Sequence, residues 1–274
     1  MNQKIALVTG ASSGLGAVMT QQLADDGYYV FAAARRQDRL EAMRSERIEP
    51  LILDVTQDDA IHSAIAHILS SKNRIDLLVN NAGYGYYATI EEGDITAVKQ
   101  LFEVNYFGIM RMTQAVLPHM RAQGCGMIVN MASVVGQVAF PVIGYYAATK
   151  HAVEAFSDAL RMEVNQFGIK VVIIEPSMIK TEFGSIAIEH LKQSQRLDSY
   201  HKLTNKFKRL MTTRQGKSAS PKRLAGVMHN IITAKRPKRR YVVGTDAHFV
   251  IFIKNKIGYC LIDPIARRIT GANK

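Results

Sequence analysis

The chain has 274 residues, 47% hydrophobic and 21% charged, which is enough for one large core and excludes a disordered or collagen-like polymer. Two cysteines, Cys125 and Cys260, supply neither a disulfide framework nor a metal-ligand cluster, so the expectation is a reducing, cytoplasmic compartment and no metal. The net charge of +12 is uneven: residues 201–274 hold 18 Lys/Arg against Asp246 and Asp263 alone, while residues 1–200 are slightly acidic.

The first residues run into a strand-like segment without a leader pattern, and no uncharged apolar run reaches the roughly 18 residues of a membrane span. Short apolar runs at 5–8, 29–34, 50–53, 75–79, 127–131 and 171–174 are partly β-branched or aromatic and bounded by Gly, Asp or Asn. Amphipathic patterns at 15–26, 58–70, 97–120 and 145–167 lie between them. Strand–helix–strand alternation with continuously apolar strands predicts a Rossmann-type α/β fold: a doubly wound, mostly parallel sheet with helices on both faces. After residue 181 the rhythm changes. Residues 182–214 are polar, basic and helical in pattern, 221–233 reads as another helix, and 239–243 as a last strand. No linker or repeat separates a second unit, so the expectation is one domain over 1–274, with 182–214 as a helical lid and 245–274 as a basic, apolar extension.

The first strand runs into Thr9-Gly10-Ala11-Ser12-Ser13-Gly14-Leu15-Gly16, which opens the first helix. Gly10 permits a tight turn, Gly14 lets the backbone approach a ligand, and Gly16 lets the helix pack closely on the sheet. Unpaired N–H groups and the positive dipole end then face a pyrophosphate. The spacing is G-x-x-x-G-x-G, and its place between strand and helix points to a dinucleotide. The second strand ends at Ala34-Arg35-Arg36, where an NAD-preferring fold would place an acid for the ribose hydroxyls. Ala34 repels nothing and Arg35 can grip a 2′-phosphate, which favours NADP(H). The competing reading makes Arg35 and Arg36 surface charges beside Asp38 and Glu41.

Ser133 follows the strand at 127–131, at the carboxyl edge where open α/β sheets bind ligands, and its hydroxyl can orient a substrate oxygen. Tyr146 and Lys150 stand four apart and share a helix face. A tyrosine of pKa about 10 is a poor base at neutral pH, and an adjacent ammonium favours its phenolate. Tyr145 is the rival acid/base, but four residues after it stands Thr149 rather than a cation. Asn105 lies mid-helix, unfavourable for its propensity, which suggests a buried polar role such as holding a water beside Lys150.

With these residues in order, together with Leu53-Asp54-Val55, Asn80-Asn81-Ala82-Gly83 and the segment 176–181, the chain resembles the short-chain dehydrogenase/reductase family. The resemblance covers residues 4–181 closely and the rest loosely, and the overall form looks loosely similar to the steroid/retinol-type members. It implies a catalytic tetrad of Asn105, Ser133, Tyr146 and Lys150. It also implies adenine contacts from Asp54 and Val55, ribose contacts from Asn81, Ala82 and Gly83, and nicotinamide contacts from Pro176, Ile179 and Thr181. Pro176-Ser177 departs from the family's usual Pro-Gly. The reaction implied is hydride transfer between nicotinamide and a carbonyl or secondary alcohol carbon, with Tyr146 exchanging the proton. The resemblance further implies a homodimer or homotetramer paired through the helices at 97–120 and 145–167.

Tyr84, Tyr86, Tyr87, Phe140, Val142, Met178 and Phe183 fall in loops at the strands' carboxyl ends, and among them Tyr86, Phe140, Met178 and Phe183 join Ser133 as substrate candidates. An apolar pocket under a lid suits a lipophilic small molecule. One alternative is reduction of 3-oxoacyl groups on an acidic carrier protein drawn to the basic quarter. Another, from a different class, is a non-catalytic cofactor-sensing or nucleic-acid-binding module; the intact Ser133, Tyr146 and Lys150 and the lack of a nucleic-acid motif oppose it, so no nucleic-acid partner is expected. Residues 249–254 and 257–265 mix aliphatic with basic groups, and are read as covering the pocket, packing on a subunit, or resting peripherally on a membrane.

Overall fold

The structure is a computed structural model that describes residues 3–179, 182–194, 196–215 and 220–272. Seven strands form one sheet: β1 (Ile5–Thr9), β2 (Tyr29–Ala34), β3 (Ile48–Ile52), β4 (Leu77–Asn80), β5 (Gly126–Met131), β6 (Ile169–Pro176) and β7 (Arg240–Val243). Their order is β3-β2-β1-β4-β5-β6-β7 and every pairing is parallel. The sheet is therefore wholly parallel rather than mostly so.

Side chains alternate across a strand, so each strand feeds two cores. Ala6, Val8, Val30, Val79, Val129 and Val172 pack under α1 (Gly14–Asp25) and α9 (Lys222–Thr233), meeting Met19, Leu23, Leu224, Met228 and Ile231. Leu7, Phe31, Leu78, Ile128 and Val171 face the other way. They meet Ile61, Ile65 and Ile68 of α3 (Asp58–Lys72), Met112 and Val116 of α5 (Gly108–Gln123), and Leu160 and Val164 of α6 (Gly144–Val164). Each such side chain contributes about 1.5–3 kcal/mol when fully buried, and burial on both faces is why the strands read as unbroken apolar runs.

Three elements differ from the sequence reading. A short α2 (Gln37–Glu41) follows β2. The helix expected over 97–120 begins earlier as α4 (Ile95–Phe102), capped by Asp94 accepting from the Ala97 N–H at 2.8 Å, and passes into α5 through a π-helical turn at Glu103–Phe107. The stretch 182–214 is two helices, α7 (Phe183–Ser194) and α8 (Asp198–Gln215). Beyond β7 the chain ends in α10 (Thr245–Ile257) and α11 (Tyr259–Thr270), with α11 packed on α8.

β1 and β4 are neighbours whose connections leave to opposite sides, toward β2 and toward β5. At such a reversal the loops after the strands part, and a crevice opens at their carboxyl ends.

Candidate active site

That crevice is a cleft of about 830 Å³, floored by the carboxyl ends of the strands and walled by α7, α8, α10 and α11. Its first half is the turn after β1. Gly10 has φ +65°, and a Cβ there would come within 2.8 Å of Ala82 Cα. Gly16 does not line the cleft; a Cβ on it would sit 2.2 Å from the Gly10 carbonyl oxygen, so only glycine lets α1 start this close to the turn. Asn81 locks the arrangement, donating from Nδ2 to the carbonyls of Thr9 (3.0 Å) and Gly10 (3.3 Å). The Thr9 hydroxyl accepts from the N–H groups of both Asn81 and Ala82 and donates to the Val79 carbonyl. Thr9 is a structural hub that no spacing rule singles out. Ser12, Ser13, Gly14 and Leu15 line the cleft above it, with Ala82 and Gly83 opposite.

At the end of β2 the two arginines divide. Arg36 donates to Ser13 Oγ at 2.6 Å and to Ser12 Oγ at 3.2 Å, which holds its guanidinium over the turn after β1. Arg35 is mostly exposed, 3.8 Å from Asp54 after β3. Glu182, at the start of α7, reaches across to Arg39 at 2.9 Å and Arg36 at 3.8 Å. Asp54 accepts from the Thr56 N–H and hydroxyl, fixing the loop that presents Val55 to the cleft.

Ser133, Tyr146 and Lys150 come together where β5 ends. All three are buried and line the cleft. Ser133 donates to the Pro176 carbonyl at 3.2 Å. Burial pushes the Tyr146 phenol above its ordinary value, while its hydrogen bond with Ser133 pulls it down. Lys150 Nζ donates to the Met131 carbonyl at 2.7 Å and lies 5.8 Å from the centre of the Tyr146 ring. Burial depresses its pKa to about 8, opposed by the charge of Glu154. Burial is thus the largest influence on Tyr146 and favours its neutral phenol. Tyr145 turns away, donating its hydroxyl to the Ile90 carbonyl at 2.7 Å.

Behind Lys150 lies a group the sequence did not announce. Glu154 and Glu175 are buried around one guanidinium, with Arg240 Nε at 3.0 Å from Glu154 and 3.3 Å from Glu175. Gln137 donates to Glu175 at 2.7 Å, and Arg240 reaches on to Asp158 at 2.6 Å. Glu154 Oε1 finds no donor side chain or backbone group, and burial together with the Glu175 carboxylate pushes Glu154 well above the usual range.

Other candidates land differently. Asn105 is fully buried in the π-helical turn and lies outside the cleft. Its side chain clamps the Tyr84 backbone, accepting from the N–H at 3.0 Å and donating to the carbonyl at 2.9 Å, with Thr149 Oγ1 at 3.3 Å. The carboxamide thus fixes the loop after β4. Tyr86 also leaves the cleft: it is buried against Ala88, Val98 and Leu101, and its hydroxyl accepts from the Asp94 N–H. Tyr84 and Tyr87 line the cleft, as do Phe140, Met178 and Phe183. Pro176 and Ile179 line it too, and Thr181 falls outside the described residues. Ser177 donates its N–H to the Val243 carbonyl at 2.8 Å, extending the sheet, so this position needs no glycine. His190 of α7 also lines the cleft, near the Tyr84 and Tyr86 rings. No group of three His, Cys, Asp or Glu suited to a metal occurs among the described residues.

Comparison with known proteins agrees with this geometry. The short chain dehydrogenase family model matches residues 4–191. An uncharacterized oxidoreductase of Bacillus subtilis, YusZ, is 33% identical, covering 98% of this chain and 99% of its own. A 3-ketodihydrosphingosine reductase of Bacteroides thetaiotaomicron is 32% identical over 93% of each chain. The crystal structure of a short-chain dehydrogenase from Streptomyces avermitilis superposes with a TM-score of 0.82 at 31% identity, covering 97% of this chain and 98% of that one. The chain belongs to the short-chain dehydrogenase/reductase family, oxidoreductases of NAD(P)-dependent carbonyl and alcohol chemistry.

Proposed function

We propose that the chain is an NADP(H)-dependent oxidoreductase of a lipophilic ketone or secondary alcohol, with Tyr146 as the proton donor and acceptor. One observation carries this reading: Ser133, Tyr146 and Lys150 lie in the same cleft as the glycine-rich turn after β1, and the wall around Tyr146 is apolar. Val134, Phe140, Phe183, Phe207 and Met211 wall the space around Tyr146. The bound nicotinamide supplies or accepts the hydride. Ser133 and Tyr146 hydrogen-bond the substrate oxygen, Tyr146 transfers the proton, and Lys150 holds the cofactor ribose. A neutral, buried phenol is in the right protonation state to donate in the reductive direction.

The NADP(H) preference rests on Ala34, Arg35 and Arg36: no acid ends β2, and Arg36 is already oriented beside Ser12 and Ser13. Helices α7 and α8, over the cleft, serve as the lid. The relative from Bacteroides thetaiotaomicron, named for a ketodihydrosphingosine, supports a lipophilic carbonyl substrate.

NADPH oxidation measured against a panel of ketones, aldehydes and 3-oxoacyl thioesters tests the reading. The expected result is turnover that rises with the apolar length of the ketone. Tyr146→Phe should lose at least about 10²-fold in kcat, the lower bound for a general acid, and keep cofactor affinity. Near-normal turnover in that variant would refute the assignment, and activity confined to carrier-bound 3-oxoacyl groups would favour the carrier-protein reading.

A further inference from the structure

Helices α10 and α11 carry apolar side chains on two sides. Ala247, Ile262 and Ala266 are buried, and Val250, Ile265 and Ile269 line the cleft. Outward, Phe249 and Phe252 are 66% and 59% exposed, and Leu261, Ile265 and Ile269 follow at four-residue spacing along α11. With Tyr259 these make six exposed large apolar side chains on two short helices, a concentration that marks an interaction site rather than scattered surface leucines.

Each stripe ends in a cation. Lys256 stands four and seven residues after Phe252 and Phe249, and Arg268 three and seven after Ile265 and Leu261, so helical spacing puts each on the face of its stripe. Lys206 of α8 donates to the Arg268 carbonyl at 2.7 Å, bringing another ammonium beside α11.

We propose that the α10–α11 face seats on an anionic lipid bilayer, so that the cleft takes its substrate directly from the membrane. The proposal rests on the reading of the cleft as a site for a lipophilic carbonyl compound. Ile265 and Ile269 belong to both surfaces, which makes the outer stripe and the cleft wall one continuous apolar path. Phe249, Phe252 and Leu261 enter the acyl boundary, while Lys256, Arg268 and Lys206 meet headgroup phosphates. Charge selects the occupant. Lys256, Arg268 and Lys206 beside the apolar stripes complement an anionic surface, whereas an isologous contact of this face with a second copy would bring like charges together. No helix among the described residues is long and apolar enough to cross a membrane, so the contact lies in the interface plane.

The test is co-sedimentation of the full chain with vesicles of phosphatidylcholine alone and with about 30% phosphatidylglycerol, an anionic surface of the kind that attracts basic segments. Binding is expected on the anionic vesicles only, and lost at about 1 M salt, where screening is nearly complete. The triple variant F249S/F252S/L261S should lose at least about tenfold in vesicle affinity, because each removes apolar area from the interface. It should turn over a water-soluble short-chain ketone like the parent, which also shows that it is folded. No binding to anionic vesicles, or equal binding by the variant, overturns the proposal. So does a concentration-dependent dimer that the triple variant dissociates, since the face would then be a protein interface. Sedimentation reads binding without turnover, so a protein that binds vesicles yet reduces no lipophilic ketone would refute the substrate reading, and with it uptake from the membrane, while the membrane contact itself would stand.

Discussion

Arg35 and Arg36 are adjacent in sequence but differ in what they touch. Arg36 is held by the Ser12 and Ser13 hydroxyls, whereas Arg35 has only a long contact with Asp54. A hydrogen bond to a charged group contributes about 1.5–3 kcal/mol, equivalent to roughly ten- to hundred-fold in affinity. Replacing both arginines by alanine should weaken NADPH binding by about that factor and leave NADH nearly unchanged, as measured by fluorescence titration of the two reduced cofactors. Glu154 acts on Lys150 from behind. Its carboxylate raises a Lys150 pKa that burial has depressed to about 8. Glu154→Gln keeps the volume and removes that charge, so the Lys150 ammonium should deprotonate at lower pH. The alkaline limb of the kcat/KM profile should move to lower pH with it. The sign for stability runs the same way. Folded Lys150 releases its proton at lower pH than the unfolded chain, so its burial costs most stability below pH 8, and the cost fades as pH rises toward 10.5.

At the scale of elements, the connection between α7 and α8 hangs on one carboxylate. Glu92 Oε1 accepts from the N–H groups of Arg196 (2.7 Å) and Leu197 (2.8 Å), and Oε2 from the Thr89 hydroxyl (2.7 Å). Burial works to raise its pKa, but the hydrogen bonds from Leu197, Thr89 and Arg196 outweigh it and hold the group below the usual carboxylate value. The anchor is thus fully present above the unfolded value of 4.5 and is lost as pH falls through the lower folded one. Glu92→Ala should free the α7–α8 connection, raising KM for an apolar ketone several-fold and KM for NADPH much less, in steady-state kinetics. The π-helical turn belongs to this scale as well. It was invisible in the periodicity of 97–120, since one inserted residue shifts an apolar stripe by about 100° without interrupting it. Only the unfavourable mid-helix Asn105 hinted at it, and its side chain binds the Tyr84 backbone.

For the whole molecule, assembly is the open quantity. Phe107 at the π-helical turn and Met162 on α6 are exposed large apolar groups on the elements expected to pair copies of this chain. We expect a dimer or tetramer by sedimentation velocity, and Met162→Arg should shift it toward monomer with its secondary structure intact. An assembly through these elements would leave α10 and α11 free.

The amino-acid sequence by itself determined the succession of strands and helices: period, Gly/Asp punctuation and the turn at residues 9–16 are local, so the α/β alternation, the glycine-rich turn and the trio Ser133, Tyr146 and Lys150 were legible without the tertiary structure. Neighbourhood across long separations was not. Arg240 lies 86 residues from Glu154, and Glu92 lies 105 from Leu197. Thr9 is fixed by residues some 70 positions away. Contacts of this kind leave no periodic trace, because they are set by which strand ends the sheet brings side by side. The same reason decided the substrate wall. Tyr86 and Tyr87 are consecutive, yet one packs toward Leu101 and the other lines the cleft. Tertiary structure likewise turned the basic, apolar tail into two helices that border the cleft and face outward, where dielectric and packing, not residue type, set what each side chain does.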